Sequence, residues 1–187
     1  MLNKLRARVS EVFRPIAVAF ARSGLTPNEI TVIGFAVSLL SAYLFYTRHQ
    51  FWGGVLLLIA GLFDILDGAV AKITGKTTKL GGVLDSVMDR YSDLIVIAAI
   101  MIAGLTDLYI GTIALIGSVM VSYVRARGEV EGVKMSAVGL MERAERIVVL
   151  AVAAIAGYVW VGVIVLAVLT QFTVAQRLYF LWKSLKS

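Results

Sequence analysis

The sequence has no cysteine, which excludes disulfides, thiolate nucleophiles and Cys-ligated metal centres. A single histidine, His49, excludes a multi-histidine metal site and a histidine-based catalytic relay. Two prolines, Pro15 and Pro27, leave long stretches without a helix breaker. Charge is also scarce: 16% of residues are charged and 59% are apolar, against roughly 25% and 45–50% in an average soluble domain. Composition of that kind, with a mean hydropathy of +0.88, identifies an integral membrane protein. At 187 residues the chain is one domain's worth. The net charge of +6 reads as a positive-inside bias rather than as a nucleic-acid surface, so no nucleic-acid partner is expected. Residues 1–22 are interrupted by charges and lack the continuous apolar core of a cleavable signal peptide.

What is present is a succession of apolar runs. Met1 to Arg22 interleaves Lys4, Arg6, Arg8, Arg14 and Arg22 with apolar residues at helical spacing, which predicts an amphipathic helix lying in the membrane surface. Thr26 or Asn28 then caps a helix with Pro27 in its first turn. The first span is Ile30 to Tyr46, and the second runs from about Trp52 to Ala71. A polar loop over Lys72 to Leu80 leads to the third, Gly81 to about Ala103. The fourth covers Tyr109 to Val124, and a polar segment follows from Arg125 to Glu145. The fifth is about Arg146 to Tyr158, starting as early as Leu140, and the sixth is Val161 to Leu181. The expectation is therefore an all-α bundle of six transmembrane helices over residues 29–183 behind a juxtamembrane helix over 1–22. With six spans both ends share one side. Of the eighteen lysines and arginines only Arg48 falls on the other side, so both termini are expected in the cytoplasm. The setting implied is the cell membrane, crossed several times.

Against this apolar background, Phe63 to Asp93 holds Asp64, Asp67, Asp85, Asp89 and Asp93, five of the twelve acidic residues. Carboxylates at the edge of a span mark a functional site. Asp64 and Asp67 are three apart, Asp85 and Asp89 four apart, so each pair shares a helix face. Two adjacent antiparallel helices then aim four carboxylates at one point near the cytoplasmic surface. Crowded in low dielectric they repel one another, and one or two divalent cations would relieve this. Oxygen donors without His or Cys select hard ions: Mg²⁺, with Mn²⁺ or Ca²⁺ as substitutes. Paired ions on carboxylates suit phosphoryl transfer. Gly68, Gly81 and Gly82 let a ligand reach the backbone, and Lys72, Lys76 and Lys79 can meet phosphates. The residues alone also allow a cation-coupled transporter or a structural membrane protein.

The motif Asp64-x₂-Asp67-Gly68-x₂-Ala71-Lys72-x₈-Gly81-x₃-Asp85-x₃-Asp89 resembles that of the CDP-alcohol phosphatidyltransferases, and the resemblance covers nearly the whole chain. These six-span enzymes move a phosphatidyl-type group from a CDP-lipid to an alcohol and release CMP. The resemblance implies that Asp64, Asp67, Asp85 and Asp89 hold metal, with Asp89 also the general base. It places Gly68, Lys72 and Thr78 at the CDP moiety beside the small Ala71 and Gly81, with Asn28 and Thr31 helping from the first span. Helix capping and loop polarity are the alternative roles for Asn28 and Thr78. The family usually has Arg where this chain has Lys72, which keeps the charge and loses the bidentate fork.

Arg177 is an arginine inside an apolar run and needs a partner or an anion, and Lys134, Arg143, Arg146 and Arg177 together suit an acceptor that is itself a phosphate ester; topology or lipid headgroups are the alternative. SYVRARGE, VGLMERAERIVVL and LDSVMDRYSD resemble the branch of the family that makes archaetidylinositol or phosphatidylinositol phosphate. That resemblance implies CDP-archaeol or CDP-diacylglycerol as donor and inositol 1-phosphate as acceptor, with glycerol 3-phosphate or serine as alternatives. It also implies a homodimer, for which Gly111, Ala114, Gly117 and Ser118 offer a small-residue packing face.

Overall fold

The computed structural model describes residues 15–135 and 138–186, and among these the chain is helical with no strand. The expected interfacial helix over 1–22 lies largely outside the described residues. What is described of it, helix α1 over residues 15–22, buries Ala17 against Ile30, Leu66 and Val70. Phe20 meets Phe63 edge to face. Six further helices follow: α2 (Pro27–Tyr46), α3 (Gln50–Thr74), α4 (Lys79–Ile102), α5 (Leu108–Val130), α6 (Arg143–Ile155) and α7 (Val159–Lys186). Four of them, α2, α3, α5 and α7, are long and apolar enough to cross a membrane. The carboxylates of α4 and the 13 residues of α6 set those two apart.

Local chemistry sets the ends. Thr26 caps α2 in a reciprocal box with Glu29, and Pro27 occupies the first turn; Asn28 is not the cap. Gly75 takes a left-handed φ of 66° and stops α3. Thr78 then caps α4 through a bond from the Gly81 N–H. The expected polar loop over 72–80 is accordingly only the turn at 75–78. The expected polar segment after the fourth span is also shorter. α5 continues through Arg125 and Arg127, each paired one turn on with Glu129 and Glu131 at 2.9 and 2.7 Å.

The helices pack in a ring, α4 on α2, α2 on α3, α3 on α6, α6 on α7, α7 on α5, and α5 back on α4. The core lies inside it, built on Phe45, Leu57, Ile97, Ile100, Leu150 and Leu166. The small-residue stripe of α5 belongs to this interior, which corrects its assignment to a dimer face. Ala114 is fully buried, a methyl on Gly117 would overlap Thr170 of α7, and one on Gly111 would overlap Met101 of α4. The small residues let these helices approach within the chain and leave nothing of the stripe for a second copy.

The connection from α5 to α6 carries the other consequential detail. Arg143, at the first turn of α6, reaches Asp89, ten residues along α4 from Lys79, or about 15 Å at 1.5 Å per residue. The loop over 138–142 therefore sits deep beside α7 rather than at the helix ends. Its backbone groups are served by α7: Met141 N–H donates to Thr173 Oγ1 at 3.1 Å, and Arg177 Nε donates to the Val138 carbonyl at 2.8 Å. Non-helical backbone at such depth needs internal partners of this kind. Gly139, at φ 111°, lies against Thr173 where a side chain would clash.

Candidate active site

The last three turns of α3 carry Asp64 and Asp67, and the first half of α4 carries Asp85 and Asp89. Asp64, Asp67 and Asp85 each offer a carboxylate oxygen within 4.8 Å of the others. Asp67 is buried, and Thr31 of α2 donates to its Oδ2 at 2.7 Å. The Pro27 carbonyl lies 3.0 Å from the same hydroxyl. A hydroxyl has one proton, and the nearer, charged acceptor takes it. Asp85 Oδ1 is buried and has no hydrogen-bond partner. Three converging hard oxygens, no nitrogen or sulfur donor, and an orphaned carboxylate oxygen fit a divalent hard cation.

Asp89 lines the same small pocket as this triad but is turned to α6. Arg143 Nη1 stands 2.8 Å from Asp64 Oδ2 and 3.0 Å from Asp89 Oδ1. Its Nε is 3.6 Å from Asp93 Oδ1, and Arg146 Nη2 reaches Asp93 Oδ2 at 2.7 Å. So one guanidinium joins α3 and α4 through three carboxylates, and a second ties α6 to α4.

Beside the pocket opens a cleft of about 1560 Å³ between α3, α4, α5 and α6. Gly68, Lys72, Lys79 and Gly82 line one side. The sites where Gly68 and Gly82 would carry a Cβ are open, so both leave room for a ligand's approach. Gly81 is different: a Cβ there would press on Asn28 Oδ1 and Thr78 Oγ1, so it serves the crossing of α2 over α4. Thr78 is committed to its cap, exposed Asn28 abuts that crossing, and Ala71 is half-buried one turn beyond Gly68.

Arg143, Arg146 and Arg177 line the opposite side, while Lys134 stands exposed in the preceding loop and outside the cleft. Arg177 is 1% exposed, and its Nη1 bonds the Val121 carbonyl in addition to the Val138 bond from Nε. Its Nη2 lies 3.6 Å from Glu142. Arg146 is 3% exposed and keeps a buried Nε without a partner. Sequence reasoning left Asp93 without a role, although it continues the Asp85–Asp89 stripe by four residues and so was visible as a third position on that face. Nothing local marks Thr173, Glu142, or Ser122, which accepts from Arg90 Nε at 3.0 Å.

An apolar helical ring with an acidic pocket beside a basic cleft suits an enzyme acting on a charged group at a membrane. The family model of CDP-alcohol phosphatidyltransferase matches residues 24–180, and the chain belongs to that family of enzymes. It is 41% identical over 179 residues to the archaetidylinositol phosphate synthase of Pyrococcus horikoshii, covering 96% of this chain and 95% of that one. It is 38% identical to the phosphatidylinositol phosphate synthase of Mycobacteroides abscessus, covering 93% and 85%. Among solved structures it is similar to the Mycobacterium tuberculosis phosphatidylinositol phosphate synthase with CDP-DAG bound, at TM-score 0.81 and 32% identity over 92% of this chain and 94% of that one. The same enzyme in complex with manganese and citrate matches at TM-score 0.80 and 33% identity, over 90% and 88%.

Proposed function

We propose that this enzyme transfers a phosphatidyl-type group from a CDP-lipid, CDP-archaeol or CDP-diacylglycerol, to inositol 1-phosphate and releases CMP. The observation that carries the reading is the converging Asp64, Asp67 and Asp85 beside a cleft faced by Arg143 and Arg146. The names of its relatives support the same acceptor.

Asp64, Asp67, Asp85 and Asp89 would hold two Mg²⁺ ions, with Mn²⁺ as a substitute. Bound there, the ions supply positive charge that neutralises the carboxylates and stabilises charge developing on phosphate oxygens. Lys72 and the open face at Gly68 receive the donor's diphosphate, and Ala71, Gly81, Thr78, Asn28 and Thr31 shape that end of the site. Arg143 and Arg146 face the acceptor's phosphate, Arg177 holds the loop behind them, and Lys134 adds charge at the entrance. Asp89 accepts the proton of the attacking inositol hydroxyl as that oxygen bonds to the β-phosphorus. The bond to CMP breaks, and the product lipid keeps the new phosphodiester.

In the membrane, all six of α2 to α7 cross. α4 tolerates its carboxylates because they face the ring, and α6 begins at the depth of Asp89, so it needs only the remaining thickness. Helix α1 lies in the cytoplasmic interface, and the site faces the cytoplasm of the plasma membrane, the side on which both termini are expected. Pairing of two copies would use a face other than the α5 stripe.

The test is incubation of purified enzyme with labelled CDP-lipid, Mg²⁺ and a panel of alcohols. Inositol 1-phosphate should yield CMP and a lipid phosphate ester, EDTA should abolish both, and Asp89→Asn should lower turnover by at least about a hundredfold. Full turnover in metal-free buffer, or CMP release with free inositol equal to that with its phosphate, would sink the respective half of the reading.

A further inference from the structure

We propose that Asp93 is a positioning residue for the acceptor, holding Arg143 and Arg146 in the cleft without touching substrate itself. The inference rests on the acceptor reading given above. Asp93 lines neither the acidic pocket nor the cleft, whereas Arg143 lines both and Arg146 lines the cleft. Each of its oxygens is nevertheless directed at a guanidinium: Oδ2 takes a hydrogen bond from Arg146 Nη2 at 2.7 Å, and Oδ1 lies 3.6 Å from Arg143 Nε. The carboxylate and Arg146 are nearly buried, with side-chain exposures of 12% and 4%.

The fold gives this contact weight. α6 packs on α3 and α7, and α4 packs on α2 and α5, so these two helices are not neighbours in the ring. The ion pairs of Arg143 and Arg146 tie the first turn of α6 to α4. The Arg146 guanidinium has two fixed contacts, Asp93 through Nη2 and the Met141 carbonyl through Nη1 at 3.4 Å, while Nε is buried and unpaired. A planar fork held through both Nη nitrogens keeps its charge and its plane in one place beside the cleft. Without Asp93 the same cation would turn toward Asp89 or into the open cleft, and its charge would no longer be held in that place.

The sign of the effect separates positioning from simple charge. If Asp93 acted only as a negative charge near the cleft, removing it would strengthen binding of an anionic acceptor. If it positions the two arginines, removing it weakens that binding. For Asp93→Asn the expected result is an acceptor KM raised by about tenfold, the loss of one well-directed charge-assisted contact. The KM for CDP-lipid should stay within about twofold of the parent, because Asp93 does not line the cleft where Gly68 and Lys72 lie; the affinity for Mn²⁺, measured by titration without turnover, should change less than the acceptor KM, because Asp93 reaches the metal ligands only through Arg143, at 3.6 Å. Asp93→Glu, which keeps the charge, should recover part of the loss. An acceptor KM that falls or stays level in Asp93→Asn overturns the proposal. A matched loss in both KM values, Mn²⁺ affinity and melting temperature overturns it too, because that pattern is general destabilisation. The acceptor reading is judged separately, by whether the parent enzyme prefers inositol 1-phosphate. Should another phosphate ester be preferred, the same ratio of variant to parent is read with that acceptor.

Discussion

At the scale of the residue, Asp67 and Thr31 show how a carboxylate is prepared for a cation. Asp67 is buried, lies within 4.8 Å of two other carboxylates, and is oriented by one short bond from Thr31. Asp67→Asn replaces a charged oxygen ligand with a poor one, so Mn²⁺ affinity should fall by more than about a hundredfold. Thr31→Val keeps the shape and removes only the orienting proton, and partners of that kind typically change metal affinity by about 10–100-fold. The expected order is parent, then Thr31→Val, then Asp67→Asn, read by titration of Mn²⁺. Equal affinity in all three would mean that the triad does not hold the ion. Arg143 works at this scale too. Its guanidinium meets Asp64, Asp89 and Asp93 together, so its charge offsets part of the repulsion in the cluster.

At the scale of the element, the decisive piece is the loop over 138–142 and the stretch of α7 that holds it. Arg177 was legible as a cation inside an apolar run, which needs a partner or an anion. Its partners are backbone carbonyls, Val138 of the loop and Val121 of α5, together with Glu142. Truncating it leaves buried acceptors unpaired, at a cost of about 1–3 kcal/mol for each. Arg177→Ala should therefore lower the melting temperature in detergent as well as raise the acceptor KM, because the loop it holds leads directly into Arg143 and Arg146. Thr173→Val, which removes the acceptor for the Met141 N–H, should do the same more weakly. A raised KM with unchanged melting would show that Arg177 meets the phosphate directly and leaves the loop alone.

At the scale of the whole molecule, the ring of six helices puts every carboxylate of the cluster and every cation of the cleft toward one end. Arg48 marks the other end, where its Nε bonds the Ala103 carbonyl at 2.9 Å and joins the α2–α3 turn to the end of α4. The absence of cysteine makes the orientation directly measurable. A single cysteine placed at Lys76, in the turn after α3, should react with an impermeant maleimide only from the cytoplasmic side, and one at His49 only from outside. Reaction of both from the same side would overturn the six-span topology, since the single crossing of α3 must put the α2–α3 turn and the α3–α4 turn on opposite sides.

The sequence by itself determined the membrane class, the helix succession and the acidic motif, because each depends on neighbours within one or two turns. Apolar runs mark helices, spacings of three and four put Asp64 with Asp67 and Asp85 with Asp89, and the distribution of lysine and arginine picks a side. What only the tertiary structure decided is which face meets which. Periodicity says that Gly111, Ala114, Gly117 and Ser118 share a stripe, and packing on α4 and α7 turned that stripe inward. Arg143 reads in sequence as a cation near an apolar run, and its meeting with Asp64, far away along the chain, is set by the packing of α6 on α3. Asp93 is the sharpest case: its own helix places it beside Asp89, but its partners arrive on α6, a helix that packs chiefly on α3 and α7. Ion pairs between distant helices follow from how the ring closes, and no local pattern of residues encodes that closure.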